Sequence, residues 1–276
     1  TALSEENHRR EVFHGDLITG AGLIEALRGI HTAYYLVHSM GGKHFARNRE
    51  FAERDKLAAR NFVSAANETG LKRVIYLGGL GERRDDLSEH LRSRAEVGRI
   101  LSSGQASPTI LRAAIIIGAG GASFEMLRYL VERLPVMVCP RWIETRIQPI
   151  ALRDVLKYLV GCLLNPDTSG ATFDIGGPEI LTYREMMHQY ADARGITKRF
   201  IITVPVLTPL LSSYWVDLVT PIPSGVVHPL IEGLRNEVVC KDNRIDGFVP
   251  IGKTTFKEAV RIALTEETKE PGVRSW

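Results

Sequence analysis

The stretch VIYLGGLGERRDDLSEHLRSR, residues 74–94, decides how the chain reads. Its opening is apolar and, with LKR before it, predicts a buried strand. Gly78 and Gly79 end that strand and a polar run follows. Residues 88–103 then carry helical spacing that stops before Gly104. A strand passing through a glycine turn into a helix is half of a crossover unit, the building block of a parallel sheet. The predicted helix places His90 and Arg94 four residues apart, on one face. Histidine exchanges protons near neutral pH, whereas arginine stays charged and can hold a hydroxyl or a phosphate.

The same alternation extends in both directions. Upstream, EVFHGDL (11–17) predicts a strand, GLIEALRG a short helix and TAYYLVHS (32–39) a second strand. A long helix follows over 46–69. Phe51, Ala58, Phe62, Ala65 and Ala66 share one of its faces, and Gly70 stands at the capping position. Downstream, PTILRAAIIIG is a near-continuous apolar run, the mark of a strand buried on both faces. Beyond Gly118, SFEMLRYLVERLP predicts a helix, VMVCP a strand, ALRDVLKYLVGCLLN a helix and TFDIGG a strand. Thr182 and Glu185 then open a helix as a capping box, and RFIITVPV adds one more strand.

Composition sets the outer limits. The 276 residues are 44% hydrophobic and 24% charged with a net charge of +3, which predicts a soluble globular chain and no nucleic-acid partner. Cys139, Cys162 and Cys240 are isolated in apolar surroundings, as expected of reduced cysteines in a cytoplasmic protein. The opening TALSEENHRR is polar, predicts no secretory leader, and lacks an initiator methionine, as a trimmed chain would. Residues 203–231 form an apolar tract with Asp217 as its one formal charge. Five prolines interrupt it, well short of the roughly 20 apolar residues a span needs, so pocket lining or shallow contact with a membrane surface is expected there. The eight histidines are dispersed, with no ligand spacing for a metal.

Several long strings carry a resemblance. HGDL, the segment from Asp55 through Asn61-Phe-Val to GLKRVIY, and FDIGGPEILTYREMM are similar to the atypical and extended short-chain dehydrogenase/reductases. YYLVHSMGG, HLRSR, LRAAIIIGAGGASFEMLRYLVERLPVMVCPRW and LSSYWVDLVTPIP resemble a bacterial group described as NAD(P)-binding or nucleoside-diphosphate-sugar-epimerase-like. The resemblance implies an α/β fold. Its core is a Rossmann-like, doubly wound parallel sheet with a smaller C-terminal substrate lobe. Residues 1–120 would form the NAD(P)-binding domain, truncated at its N-terminus. Residues 121–276 would form a mixed α/β lobe with segments packing back on the core. The family's glycine fingerprint precedes the strand matching EVFHGDL and is not in this sequence, so dinucleotide binding by this chain is expected to be weak. The run GAGGAS (118–123) falls too late to replace it and suits a tight turn that lets segments pack closely.

The resemblance also assigns residues. Where the family places a tyrosine and a lysine stand His90 and Arg94, and where it places a serine stand Gly78 and Gly79. His90 and Arg94 would therefore be an atypical acid/base pair, or the remnant of a site that only binds. Asp16 and Leu17 match the adenine contact, with a strand-end turn as the alternative. Val37, His38 and Ser39 match the strand end beneath the nicotinamide ribose, and Arg112 and Ala114 the turn beside the nicotinamide. Phe124, Arg128 and Gln148 fall on the substrate side with Arg141, Trp142 and Arg146; Tyr214 and Trp215 fall in the apolar tract. The function implied is an NAD(P)-dependent oxidoreductase or epimerase-like enzyme acting on a small molecule. The alternative is a non-catalytic NAD(P)-binding redox sensor or scaffold. The residues that choose between NAD and NADP lie in the missing front end.

Overall fold

The computed structural model describes residues 11–39, 48–81, 89–204, 220–234 and 236–269. A short helix α1 (Leu23–Leu27) leads into β1 (Thr32–Tyr35). The chain then alternates through α2 (Asn48–Thr69), β2 (Arg73–Gly79), α3 (Glu89–Leu101) and β3 (Ser107–Ala113). The run predicted as one long buried strand is broken after Ala113. Ile116–Ile117 form a separate short strand, β4, pairing with Ile150–Ala151 rather than with the main sheet.

After β4 come α4 (Ala122–Arg133), β5 (Val136–Pro140), β6 (Arg146–Ile147), β7 (Ile150–Ala151) and α5 (Leu152–Leu164). They are followed by β8 (Thr172–Ile175), β9 (Leu181–Thr182), α6 (Tyr183–Arg194) and β10 (Phe200–Val204). The helices Ser224–Gly233, Ile245–Phe248 and Phe256–Lys269 complete the described chain. The capping box is formed as the sequence predicts: Thr182 accepts from the Glu185 amide, and Glu185 accepts from the Thr182 amide.

The main sheet has the order β1-β2-β3-β8 and every pair is parallel. This is the Rossmann-like α/β architecture that the sequence implies. Alternation along β2 sends Val74 and Tyr76 to one face and Ile75 to the other. On the first face α1, α2 and α3 close a core of Leu27, Tyr35, Phe62, Val74, Tyr76 and Leu101, with the Tyr35 and Phe62 rings 5.0 Å apart. On the second face α5 and the helix Ile245–Phe248 cover Ile75, Leu111 and Phe173. A third core gathers Phe124, Met137, Tyr183, Tyr190, Val227 and Val260 around α4 and α6. Residues late in the sequence thus pack against strands early in it.

One expected strand is not there. Residues 11–17 form no strand, and Val12 and Phe13 are exposed at 68% and 50%. A strand is held by a neighbour's ladder, and this segment has none. Among the described residues β1 pairs on one edge only, with β2. The segment instead closes a turn: Asp16 Oδ1 accepts from the Ile18 amide at 2.7 Å and the Asp16 amide donates to Ala21 O at 2.9 Å. Asn61 of α2 holds that turn by donating to the carbonyls of Leu17 (2.9 Å) and Ile18 (2.8 Å).

Candidate functional site

In an open parallel sheet ligands bind beyond the carboxyl ends of the strands. At that edge lie residues 36–39 after β1, Gly78 and Gly79 ending β2, and Arg112 to Ala114 around the end of β3. The helix α3 lies across the end of β2, because Gly79 leaves room for it. A Cβ on Gly79 would stand 3.2 Å from Leu91 Cδ2 and 3.5 Å from Arg94 Cγ. At Gly78 a Cβ would meet the Tyr76 ring at 2.9 Å. At both positions glycine is required because the Tyr76 ring and the α3 side chains occupy the space a side chain would need.

Arg94 is therefore seated directly on the strand end, half-buried, with its carbonyl accepting from Tyr76 OH at 3.2 Å. His90 lies one turn earlier on α3, and its side chain is outside the described residues. His38 faces Arg94 from the end of β1. Desolvation among the crowded strand ends, and then the Arg94 charge, lower its pKa from 6.5 to about 4. Its ring still reaches solvent, so water moderates the burial contribution. The direction is toward an imidazole that is neutral at pH 7 and a weaker base than an ordinary histidine.

Beneath these two residues is a carboxylate that no site reading of the sequence singled out. Asp55 of α2 is buried, at 7% exposure. Its Oδ1 accepts from the Ser39 amide at 2.6 Å and its Oδ2 from Ser93 Oγ at 3.2 Å. It fastens the turn after β1 to α3, and so sets the separation of His38 from Arg94. The sequence held a signal: Asp55 interrupts the apolar face formed by Phe51, Ala58 and Phe62, where a lone acid needs a partner.

Several predicted residues are committed elsewhere. Arg112 forms an ion pair with Asp174 at 2.6 Å, and Asp174 also accepts from the amides of Lys241 (3.0 Å) and Asp242 (3.2 Å). This ties β3 to β8 and to the C-terminal segment. Ala114 packs against the third core. Phe124 is fully buried against Tyr190, their ring centroids 6.0 Å apart, with no surface left for a ligand. Arg128 is surrounded by Glu125, Glu132 and Glu267, which neutralise the charge an anionic ligand would need. Gln148 is a clamp: its Nε2 donates to Gly177 O at 2.8 Å and its Oε1 accepts from the Cys240 amide at 2.9 Å. Tyr214 and Trp215 lie outside the described residues. Leu17 and Asp16 belong to the turn beside α2, and Val37 is exposed on the strand end.

In the run GAGGAS, a Cβ on Gly118 would come within 2.7 Å of Leu152, and Gly120 has φ +71°. Close packing and a left-handed turn account for both glycines. Among the described residues no cluster of His, Cys, Asp and Glu could hold a metal, and no helix is long and apolar enough to cross a membrane.

With this geometry in place the chain can be set beside known proteins. A nucleoside-diphosphate-sugar epimerase from Staphylococcus aureus superposes with a TM-score of 0.68 at 17% identity, over 90% of this chain and 82% of that one. The triphenylmethane reductase of Citrobacter sp., solved with NADP(H), also gives 0.68 at 17% identity, over 92% of this chain and 83% of that one. The chain shares the Rossmann-like α/β fold of these proteins. By sequence, the chain is 24% identical over 221 residues to NADH dehydrogenase [ubiquinone] 1 alpha subcomplex subunit 9, mitochondrial, of Arabidopsis thaliana. That match takes in 77% of this chain and 55% of the relative, so the chain spans about half the length of the curated relatives it matches. No protein-family model matches.

Proposed function

We propose that this chain forms the nicotinamide-facing and substrate-facing part of an NAD(P)-dependent oxidoreductase acting on a small molecule. The observation that carries the reading is Arg94 seated on the glycine end of a central parallel strand, with His38 at the end of the neighbouring strand. Superposable proteins include a reductase solved with NADP(H). The residues present fit the nicotinamide half of such a cofactor. Gly78 and Gly79 let α3 settle on the strand end, and Arg94 would offer donors there to a ribose hydroxyl or a phosphate.

No phosphate-cradling glycine turn lies among the described residues. In this fold its place is beside the free edge of β1, so dinucleotide affinity is expected to depend on a strand and helix set against that edge. The bound dinucleotide would supply or accept the hydride. His90, one turn from Arg94 on the same helix, would exchange the proton of the substrate hydroxyl or carbonyl, and Arg94 would anchor the reacting end. Three separate thiols suit a reducing, cytoplasmic setting.

A second reading is favoured by one observation. The space a catalytic serine would need is filled by the Tyr76 ring and by Leu91. On that reading the chain binds NAD(P) without turnover, as a redox sensor or as a subunit of a larger assembly.

Fluorescence titration of the full-length protein with NADPH and NADH, followed by oxidation screens with aldehydes, quinones and sugar nucleotides, separates the two. For the enzyme, Arg94→Ala weakens binding about tenfold and His90→Gln lowers turnover about 100-fold. Binding without turnover, unchanged in His90→Gln, selects the sensor or scaffold. A folded protein that binds neither dinucleotide ends both readings.

A further inference from the structure

The β5–β10 pair departs from the pattern of a half-buried sheet. Inward, Met137 and Cys139 are buried and Ile201 packs on the third core. Polar residues belong on the opposite face. Instead Val136, Val138, Phe200 and Ile202 point outward, exposed at 53%, 47%, 72% and 53%. The parallel register sets Phe200 beside Val136 and Ile202 beside Val138, so the four form one continuous apolar patch.

Its rim is basic. Arg133 precedes β5, Lys198 precedes β10 and Arg141 follows β5, all three exposed. Segments 131–146 and 192–204 together hold six Lys and Arg against three acids. Pairing takes from both sides of that count: Glu132 holds Arg194 and Tyr190, Glu144 holds Arg184 at 2.6 Å, and Arg146 stands 4.0 Å from Glu237, which leaves the excess basic.

We propose that the outer face of β5–β10 docks on an anionic lipid surface. An apolar centre ringed by cations matches the acyl boundary and the headgroup charge of such a membrane. The patch exposes on the order of 400 Å² of apolar side chain, about half of what each partner contributes to a stable protein interface, which argues against a second copy as the occupant. The contact is peripheral and independent of dinucleotide binding.

Flotation of the full-length protein with two kinds of vesicle tests this, one of phosphatidylcholine alone and one of an equal mixture of phosphatidylcholine and phosphatidylserine. The protein should float with the mixed vesicles about tenfold better than with the neutral ones, and less as salt rises. The double variant Val138→Thr/Ile202→Thr keeps β-branched side chains and should bind about fivefold more weakly with an unchanged unfolding midpoint. Lys198→Glu lies outside the strands and should weaken binding similarly, so it carries the test alone if the double variant fails to fold. No flotation with either vesicle, or flotation that neither variant changes, overturns the proposal. A wild-type dimer that the double variant dissociates, without flotation, assigns the face to a second copy instead.

Discussion

Asp55 shows how one buried side chain can set a site it does not enter. Each of its oxygens satisfies a donor on a different element, the Ser39 amide and the Ser93 hydroxyl. Asp55→Ala strands both donors in a dry environment and should cost about 2–4 kcal/mol in urea unfolding. Asp55→Asn retains an acceptor and a donor and should cost roughly half as much. His38 gives a second expectation. Between its ordinary pKa of 6.5 and the lowered value of about 4, the unfolded chain takes up a proton that the folded chain declines. Stability therefore falls as pH falls through that window, and His38→Gln should flatten this part of the profile in thermal melts. The position of His38 just beyond a strand end could be anticipated from its place after TAYYLV. Its lowered pKa could not, because that comes first from desolvation at the packed strand ends and then from the charge of Arg94, more than fifty residues away along the chain.

Among the elements, α5 was legible as a helix from its periodicity, but its glycine was not. A Cβ on Gly161 would fall 2.2 Å from Val249 Cγ1, contributed by the C-terminal segment. Helix propensity alone predicts that Gly161→Ala stabilises by about 1 kcal/mol. The close contact predicts the reverse, a net loss of about 1 kcal/mol in chemical unfolding, recovered in part by Val249→Ala in a double-mutant cycle. On its outer side α5 carries Leu152, Leu156, Val160, Leu163 and Leu164, each at least 37% exposed. Leu152, Leu156, Val160 and Leu163 recur every three or four residues on the side of α5 turned away from the sheet, while Leu159 on the inner side accepts from Tyr34 OH of β1 at 3.0 Å. The strand expected at 11–17 was misread for a related reason. Its alternation and composition suit a strand, but with no neighbouring strand among the described residues the chain satisfies its polar groups locally in the Asp16 turn.

In the molecule as a whole, late sequence locks early sequence. Asp154, at the start of α5, is fully buried and accepts from the Thr254 amide at 2.6 Å, the Thr254 hydroxyl at 3.1 Å and Lys157 Nζ at 2.9 Å. Ile245 and Val249 share a core with Ile75 and Leu111 of the main sheet. Asp154→Ala should lower stability by about 3 kcal/mol. Because the C-terminal segment touches both the sheet and the third core, far-ultraviolet dichroism and tyrosine absorbance should report the same shifted midpoint. Two separate transitions would mean that the cores unfold independently.

Periodicity and glycine placement in the sequence determined most of the alternation of strands and helices and the parallel character of the sheet, though not the strand expected at 11–17 nor the break after Ala113. These are local properties, read within a few turns of chain. Tertiary structure alone decided where each arginine is placed. Arg112 and Arg128 are committed to carboxylates distant in sequence, while Arg94 rests on the glycine end of β2. Charge pairing and burial depend on what folding brings within a few ångströms, and that neighbourhood is not written in any one stretch of residues.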